Sequence, residues 1–208
     1  MKPYFILSLI LALLTACNST QKPQLQSGDI VFVGSTGSAL GGAIDAVTQT
    51  KKQTHFTHMG IIEMVDGKAF VLHSNSYKGV CREPIDSFKK RNVKDGDSAF
   101  VYRIQDLSNE QVSNALNKAH SLIGQPYNNT YIFPDTGFYC SEYVYTAFAQ
   151  DSIFELNPMT FKDPETSEFH PIWQEHYHQL GIEIPEGLPG CNPNGMAANN
   201  RLVFVGSL

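Results

Sequence analysis

One cysteine lies where a folded chain could make it reactive. Cys140 is near the start of an apolar segment, residues 138–150, whose length fits a helix. In the first turn of a helix, a thiol meets the positive end of the helix dipole and unpaired backbone N–H groups, which lower its pKa. The sequence therefore indicates Cys140 as a nucleophile with a lowered pKa. A buried cysteine in an aromatic-lined core is the alternative.

Two histidines could supply the base that such a nucleophile needs. His58 precedes an apolar run at the start of a predicted strand, and His73 ends the strand predicted to pair with it. The two positions are plausible neighbours across a tight turn, so one imidazole could hold the other. We expect the remaining histidines to be surface or core residues: His55, His120, His170, His176 and His178.

The spacing of cysteines and histidines does not indicate a metal site. The sequence has no CxxC pair, which argues against a zinc ribbon and against a thioredoxin-like site. His176 and His178 are two residues apart on a predicted helix and do not share a face. We expect neither a metal nor a cofactor.

Strands that would position these residues are predicted from alternation and turn signals. Asp66 and Gly67 separate two apolar runs and form a strong hairpin signal, with strands at residues 58–64 and 69–73. Further strands are predicted at residues 30–33, 79–84, 99–104 and 201–205.

Helices are predicted from periodicity and capping. Ser108 opens a capping-box-like start, Gly124 ends the helix, and residues 108–123 place a set of apolar side chains on one face: Val112, Ala115, Leu116, Ala119 and Leu122. Shorter helices are predicted at residues 43–50 and 172–180, and residues 34–42 are predicted to form a loop. Together these elements indicate one α+β domain over residues 27–208.

Four motifs occur in a specific order: GDIVF at residues 28–32, THMGI at 57–61, IGQPY at 123–127 and YCSEYV at 139–144. In that order they resemble the YiiX/YaeF (YebB-like) group of permuted papain-like amidases. This group belongs to the superfamily of NlpC-type cysteine peptidases and lecithin retinol acyltransferase. The resemblance runs from about residue 28 to residue 149. It implies a circularly permuted papain-like α+β fold, with an antiparallel sheet packed on the cysteine-bearing helix.

The resemblance also assigns roles to residues. Cys140 matches the nucleophile, His58 the general base and His73 the polar residue that orients the base. YiiX-like proteins often hold an acidic residue at the position of His73, so the third role is open. Glu63 is a competing orienter, but strand alternation directs it to the opposite face from His58.

Two neighbours of the predicted site have alternative roles. Tyr127 could donate to an oxyanion beside the Cys140 backbone N–H, or it could be a packing tyrosine. Glu142 is expected to cap the helix or form a salt bridge, and we assign it no chemical step.

The N-terminal segment resembles a bacterial lipoprotein signal. Residues 1–16 contain one Lys and a short apolar run, and residues 14–17 (LTAC) resemble the lipobox whose cysteine is acylated. We therefore expect a cleaved signal peptide at residues 1–16, lipidation of Cys17 and a flexible tether at residues 17–26. In a Gram-negative host, the resemblance to lipoproteins implies, from Asn18 after the cysteine, that the protein is sorted to the outer membrane and faces the periplasm. A buried apolar helix with a chance cysteine is the alternative.

Lipidation of Cys17 would leave an odd number of cysteines, so at least one of them is expected to be a free thiol. Cys81 and Cys191 could pair with each other.

Composition limits the class of partner. The chain has 208 residues, 42% hydrophobic residues and a formal net charge of −5, which fits a globular protein and argues against nucleic acid as a partner. We expect a monomeric thiol hydrolase of the cell envelope acting on murein-type peptides. An acyltransferase or ester hydrolase is a second hypothesis, and a peptide- or acyl-binding lipoprotein without turnover is a third.

Overall fold

The structure, a computed structural model, describes residues 23–34, 38–94 and 99–208. Within these ranges a six-stranded sheet is built from β1 Ile30–Gly34, β2 Phe56–Val65, β3 Lys68–Asn75, β4 Gly79–Pro84, β5 Ala99–Ile104 and β8 Leu202–Ser207. Two further strands, β6 Asn157–Pro158 and β7 Pro189–Gly190, pair separately. The predicted signal peptide, Cys17 and most of the tether lie outside the described residues.

The large sheet is antiparallel and has the order β4-β3-β2-β1-β5-β8. β2 and β3 form the predicted hairpin around Asp66 and Gly67, both of which have positive φ. Positive φ at both central residues is the mark of a type I′ turn, which matches the twist of the flanking strands. The predicted hairpin is therefore confirmed.

Six α-helices surround the sheet in the described ranges: α1 Ala39–Val47, α2 Ile85–Asn92, α3 Asn109–Ser121, α4 Cys140–Ala147, α5 Pro171–Leu180 and α6 Pro193–Ala197. The start of α3 has the predicted capping box, in which the Ser108 hydroxyl accepts from the Gln111 N–H and the Gln111 side chain accepts from the Ser108 N–H. None of the helices in this part of the chain has both the length and the apolar character needed to cross a membrane.

The two faces of the sheet bury different clusters. Ile30, Phe32 and Met59 face the larger cluster, which includes residues of α3 and α4. Val31 and Val33 face a smaller cluster centred on Phe88 of α2. Alternation along each strand thus sends neighbouring residues to opposite sides, α4 covering one face and α2 the other.

Several predicted boundaries are wrong. Residues 39–42, predicted as loop, form the start of α1 because Ser38 caps it, its hydroxyl accepting from the Gly41 N–H. That helix then ends at Val47, before the predicted residue 50. The helix predicted at 138–150 is shorter as α4, since Tyr139 is its N-cap, and a 3-10 turn at Ala149–Asp151 follows it.

Two helices were not predicted, α2 and α6. Asn192 caps α6 by accepting from the Gly195 N–H, and Pro193 is its first residue. This is a local start signal inside a tract whose composition favours loop.

Candidate active site

Cys140 is the first residue of α4, as predicted. Its Tyr139 neighbour is the N-cap, and the Glu142 carboxylate accepts from the Tyr139 backbone N–H at 3.1 Å. Asn128 Nδ2 donates to the same carboxylate at 3.1 Å. Glu142 therefore caps the helix and holds the loop before it, which fixes the position of Cys140.

The Cys140 thiol is buried, and burial changes its acidity in the opposite direction from the expected one. Desolvation raises its pKa to about 11, although the N–H groups of Ser141 and Met59 donate to Sγ and act in the lowering direction. The expected lowering of the Cys140 pKa is wrong. Loss of hydration outweighs the favourable helix terminus.

His58 and His73 are in direct contact. Nε2 of His58 lies 2.8 Å from Nδ1 of His73, with the rings edge to face. Gly60 lies between them in sequence, and a Cβ there would come within 3.0 Å of His73 Cβ and 2.6 Å of Val71 Cγ1. The glycine therefore leaves the space in which the second imidazole lies.

Glu83 continues this line of side chains and was not recognised in the sequence. Its Oε1 lies 3.0 Å from His73 Nε2, its Oε2 contacts the Arg91 guanidinium, and it is 5% exposed. In the β3–β4 register, Cys81 lies opposite His73, and Glu83 comes two residues further along on the same face. Alternation in the strand predicted at residues 79–84 places Glu83 on the same face as Cys81, but its contact with His73 also depends on the register between β3 and β4.

Other groups also approach the outer nitrogen of His73. Asn75 Nδ2 lies 3.4 Å and Cys81 Sγ 3.5 Å from His73 Nε2. The Phe88 ring stacks on His58 and meets His73 edge to face. This apolar cover desolvates both imidazoles: burial lowers the pKa of His58 to about 4, and it lowers that of His73 further.

Cys140 lies near the backbone of the residue that follows His58. In the described ranges, however, the structure gives no hydrogen bond between the side chains of Cys140 and His58. Sγ accepts from the N–H of Met59, the residue after His58. His58 pairs with Val33 and faces the α2 side, whereas Cys140 packs on the α4 side. Nδ1 of His58 is the ring nitrogen not used by His73. The structure thus joins His58 to His73 and leaves the thiol outside this pair.

A cavity of about 590 Å³ opens beside Cys140. Its lining includes Cys140 and a set of aromatic residues: Tyr127, Tyr131, Tyr139, Phe154, Phe161 and Trp173. The Tyr127 hydroxyl lies 3.4 Å from that of Tyr131. Burial, and then the neighbouring Tyr131, raises the Tyr127 pKa well above its ordinary value, so its hydroxyl keeps the proton that an oxyanion donor needs.

Glu63 and several of the remaining histidines form contacts away from His58 and His73. Glu63 pairs with Arg82 and His120 and does not contact His58, as strand alternation predicted. His55 pairs with Asp45. His170 caps α5 by accepting from the Ile172 N–H, and His176 Nε2 donates to the Asn129 carbonyl.

All three described cysteines are free thiols. Cys81 lies beside Asn75 and His73, and Cys191 lies beside Tyr139, at 3.3 and 3.9 Å from Asn75 Nδ2 and Tyr139 Oη respectively. The possible Cys81–Cys191 disulfide is absent from this structure of the described residues. Cys191 instead lines the same cavity as Cys140.

Comparison with family profiles matches residues 24–206 to Peptidase_C92, described as permuted papain-like amidase enzyme, YaeF/YiiX, C92 family. Among solved structures, metalloprotein YiiX from Escherichia coli O157:H7 superposes with a TM-score of 0.72 at 23% identity. That match covers 89% of this chain and 98% of that chain. No curated protein matches. The predicted fold class, α+β and permuted papain-like, is confirmed.

The Escherichia coli protein is described as a metalloprotein, which raises the question of whether this chain could hold a metal ion. In the described part of this chain, no three His, Cys, Asp or Glu side chains are arranged to hold one metal ion. His58, His73 and Glu83 direct their polar atoms at one another along a line. This donor set does not fit a shared metal.

Proposed function

Because this chain belongs to the permuted papain-like amidase family YaeF/YiiX, we propose that Cys140 is its nucleophile and His58 its general base. The chain is accordingly a papain-like cysteine amidase. The observation that carries the assignment is the position of Cys140 as the first residue of α4, on the wall of the cavity.

Proton transfer accompanies the attack in this proposal. At rest the thiol and the imidazole are both neutral, because burial raises the pKa of Cys140 and lowers that of His58. This step requires a movement of β2 and α4 that brings Nδ1 of His58 to Sγ, because the two side chains lie on different faces of the sheet. The S–H proton moves to Nδ1 as Sγ bonds to the amide carbonyl carbon, and the imidazolium then protonates the leaving amine.

The oxyanion formed in that step needs donors beside Sγ. The Cys140 backbone N–H at the start of α4 and the Tyr127 hydroxyl are the groups we assign to it. Tyr127 lies on the cavity wall with Cys140 and keeps its proton. Water then hydrolyses the thioester and restores the thiol.

We place this activity in the cell envelope, on a murein-type peptide. The support is the lipobox at residues 14–17, which would hold the enzyme at the outer membrane facing the wall. The substrate class is inferred from the family and the predicted location, and not from the chemistry of the site.

The cavity lining favours a second candidate, acyl transfer or ester hydrolysis on a neutral acyl group. Aromatic and aliphatic side chains form much of the wall, and Glu155 is the one charged residue among the described lining residues. A peptide fragment that carries free carboxylates would find no cation among them. An uncharged acyl chain would be desolvated without leaving a charge unpaired.

A comparison of two buried cysteines tests the nucleophile. Cys140 and Cys191 line the same cavity and are each 6% exposed. Cys140→Ala should abolish turnover and labelling by a thiol-directed activity probe, whereas Cys191→Ala should keep both. Mass spectrometry after incubation with murein fragments and with neutral acyl esters would identify the acyl-enzyme. Turnover by Cys140→Ala would overturn the proposal, and absence of any acyl-enzyme would favour the binding protein without turnover.

A further inference from the structure

The Glu83 carboxylate has a defined place in the line His58, His73, Glu83. It is buried, with Oε1 3.0 Å from His73 Nε2 and with the Arg91 guanidinium against Oε2. A guanidinium partner keeps the carboxylate ionised, and an ionised carboxylate only accepts hydrogen bonds. Nε2 of His73 must therefore carry its hydrogen and donate it to Glu83.

This requirement passes along the line. A neutral imidazole has one N–H, so Nδ1 of His73 is an acceptor. Nε2 of His58, at 2.8 Å, must then be the donor to it. By the same rule Nδ1 of His58 carries no hydrogen. The nitrogen left bare at the end of the line is the one a base uses.

The other groups near His73 favour the opposite tautomer. Asn75 Nδ2 and the Cys81 thiol, both within 3.5 Å of His73 Nε2, can donate to it. The Asn75 amide cannot turn its oxygen towards His73, because Oδ1 accepts from the backbone N–H groups of Tyr77 and Lys78. Without an acceptor at residue 83, donors alone would face Nε2, and every hydrogen bond in the line would reverse.

We infer that Glu83 is a positioning residue that fixes the tautomers of His73 and His58 so that Nδ1 of His58 can receive the Cys140 proton. In that transfer the S–H bond breaks as Sγ bonds to the carbonyl carbon, an N–H bond forms at Nδ1, and an imidazolium and an oxyanion result. The Glu83 carboxylate stabilises the positive charge on His58 through the hydrogen bonds of His73. The kinetic part of this inference rests on the proposed function, but the tautomers do not.

Glu83→Gln gives the decisive variant because it keeps the size of the side chain. Arg91 donates to whatever faces it, so the amide oxygen should turn to Arg91 and the amide NH₂ to His73. The expected result is inversion of both rings, from Nε2–H in the wild type to Nδ1–H in the variant. Two-bond ¹H–¹⁵N NMR of the purified full chain, in detergent at neutral pH, reads each tautomer directly.

Matched controls separate this role from a structural one. Glu63→Gln removes another carboxylate with Arg and His partners, one that lies outside the line, and should leave both tautomers unchanged. Glu83→Asp keeps an acceptor and should keep the wild-type tautomers. If Glu83→Gln does not fold, the wild-type spectrum still decides, since Nδ1–H on either ring overturns the inference.

Alkylation of Cys140 by iodoacetamide gives the kinetic readout. Glu83→Gln should slow it to the level of His58→Ala, a loss of about 10²- to 10⁴-fold in base-assisted reactivity. Inverted tautomers with unchanged alkylation and turnover would refute the proposed base while leaving the tautomer assignment intact. Unchanged tautomers in Glu83→Gln would refute the role of Glu83 and leave Cys140 as nucleophile.

Discussion

At neutral pH the Cys140 thiol keeps its proton and the His58 imidazole lacks one, because burial raises the first pKa and lowers the second. A resting thiolate–imidazolium pair is therefore disfavoured. In the proposed mechanism the substrate therefore meets an uncharged nucleophile and an uncharged base. The reactivity of the site depends on how well His58 is held and which of its nitrogens is bare.

The two histidines should differ in what their loss does. His58→Ala removes the base and should abolish turnover, whereas His73→Ala removes only the support of His58 and should slow turnover by about 10²-fold. Cys140→Ala/His58→Ala should be little worse than either single variant, because residues that act as one unit are non-additive. The measurement is steady-state kcat with an activated ester for the three single variants and the double variant. An additive double variant, or equal losses at His58 and His73, would contradict these roles.

Buried ionisable groups also set how stability depends on pH. Burial lowers the pKa of His58 to about 4 and lowers that of His73, so below pH 6.5 the unfolded chain binds protons that the folded chain does not. Glu142 opposes this effect, because burial raises its pKa to about 7 and the folded chain keeps a carboxyl proton that the unfolded chain loses above pH 4.5. His58 and His73 destabilise the folded chain as the pH falls, and Glu142 stabilises it. Because two groups act in the first direction and one in the second, stability decreases on acidification.

From pH 6.5 to pH 5, stability should therefore fall by about 1.4 kcal/mol per pH unit, the slope of one net proton. Glu142→Gln removes the opposing group and should make that slope about twice as steep. Urea unfolding of both chains at several pH values in this window measures it. A flatter slope in Glu142→Gln would show that the sign assigned to Glu142 is wrong.

At the scale of elements, the contact of two adjacent strands decides the geometry of the site. His73 can lie beside His58 only because Gly60 has no Cβ. Gly60→Ala should force β2 and β3 apart and destabilise the fold by about 1–3 kcal/mol. Turnover should fall as well, because the contact between the imidazoles is lost.

Gly42 gives the matched control for Gly60. It is exposed within α1, and a Cβ there would meet nothing within 4 Å. Gly42→Ala should stabilise the chain by about 0.5–1 kcal/mol, because alanine loses less backbone entropy in a helix. Thermal unfolding of the two variants should give shifts of opposite sign, and equal shifts would exclude the steric explanation for Gly60.

Elements with strong local signals could be predicted from sequence. The β2–β3 hairpin has Asp66-Gly67, and α3 has the Ser108 capping box, so both are close to their predicted bounds. α2 has no side-chain cap and follows β4 without a loop, so no local pattern marks its start. Its Phe88 nevertheless covers both imidazoles.

In the candidate site, too, some residues could be predicted from the sequence and others could not. Cys140, His58 and His73 could be found from motif order and a single turn. Glu83 could not be found in this way, because its contact with His73 depends on the register between β3 and β4. The direction of the Cys140 pKa shift could not be predicted either, because burial depends on tertiary packing that a helix start does not reveal.

At the scale of the whole molecule, the N-terminal segment predicts attachment to a membrane. Processed chain should begin at lipidated Cys17 and partition into detergent, and Cys17→Ala should remain unprocessed or unanchored, because the thiol is the acylated group. Cell fractionation and mass spectrometry of the N-terminus measure both. Wild-type mature chain found free in the periplasm would contradict the prediction.

The order of strands in the large sheet has a consequence for how the chain folds. Ile30 of β1 pairs with Tyr102 of β5, and Tyr102 pairs with Phe204 of β8, so the β1-β5-β8 half of the sheet forms only when segments distant in sequence come together. Such non-local pairing makes folding slow. Before β8 pairs with β5, the edge of β5 is unpaired and exposes Phe100 and Tyr102. In the folded chain the rings of these residues contact Phe204. An open edge of this kind recruits other chains. The yield of refolding, more than the final stability, should be sensitive to changes in β8.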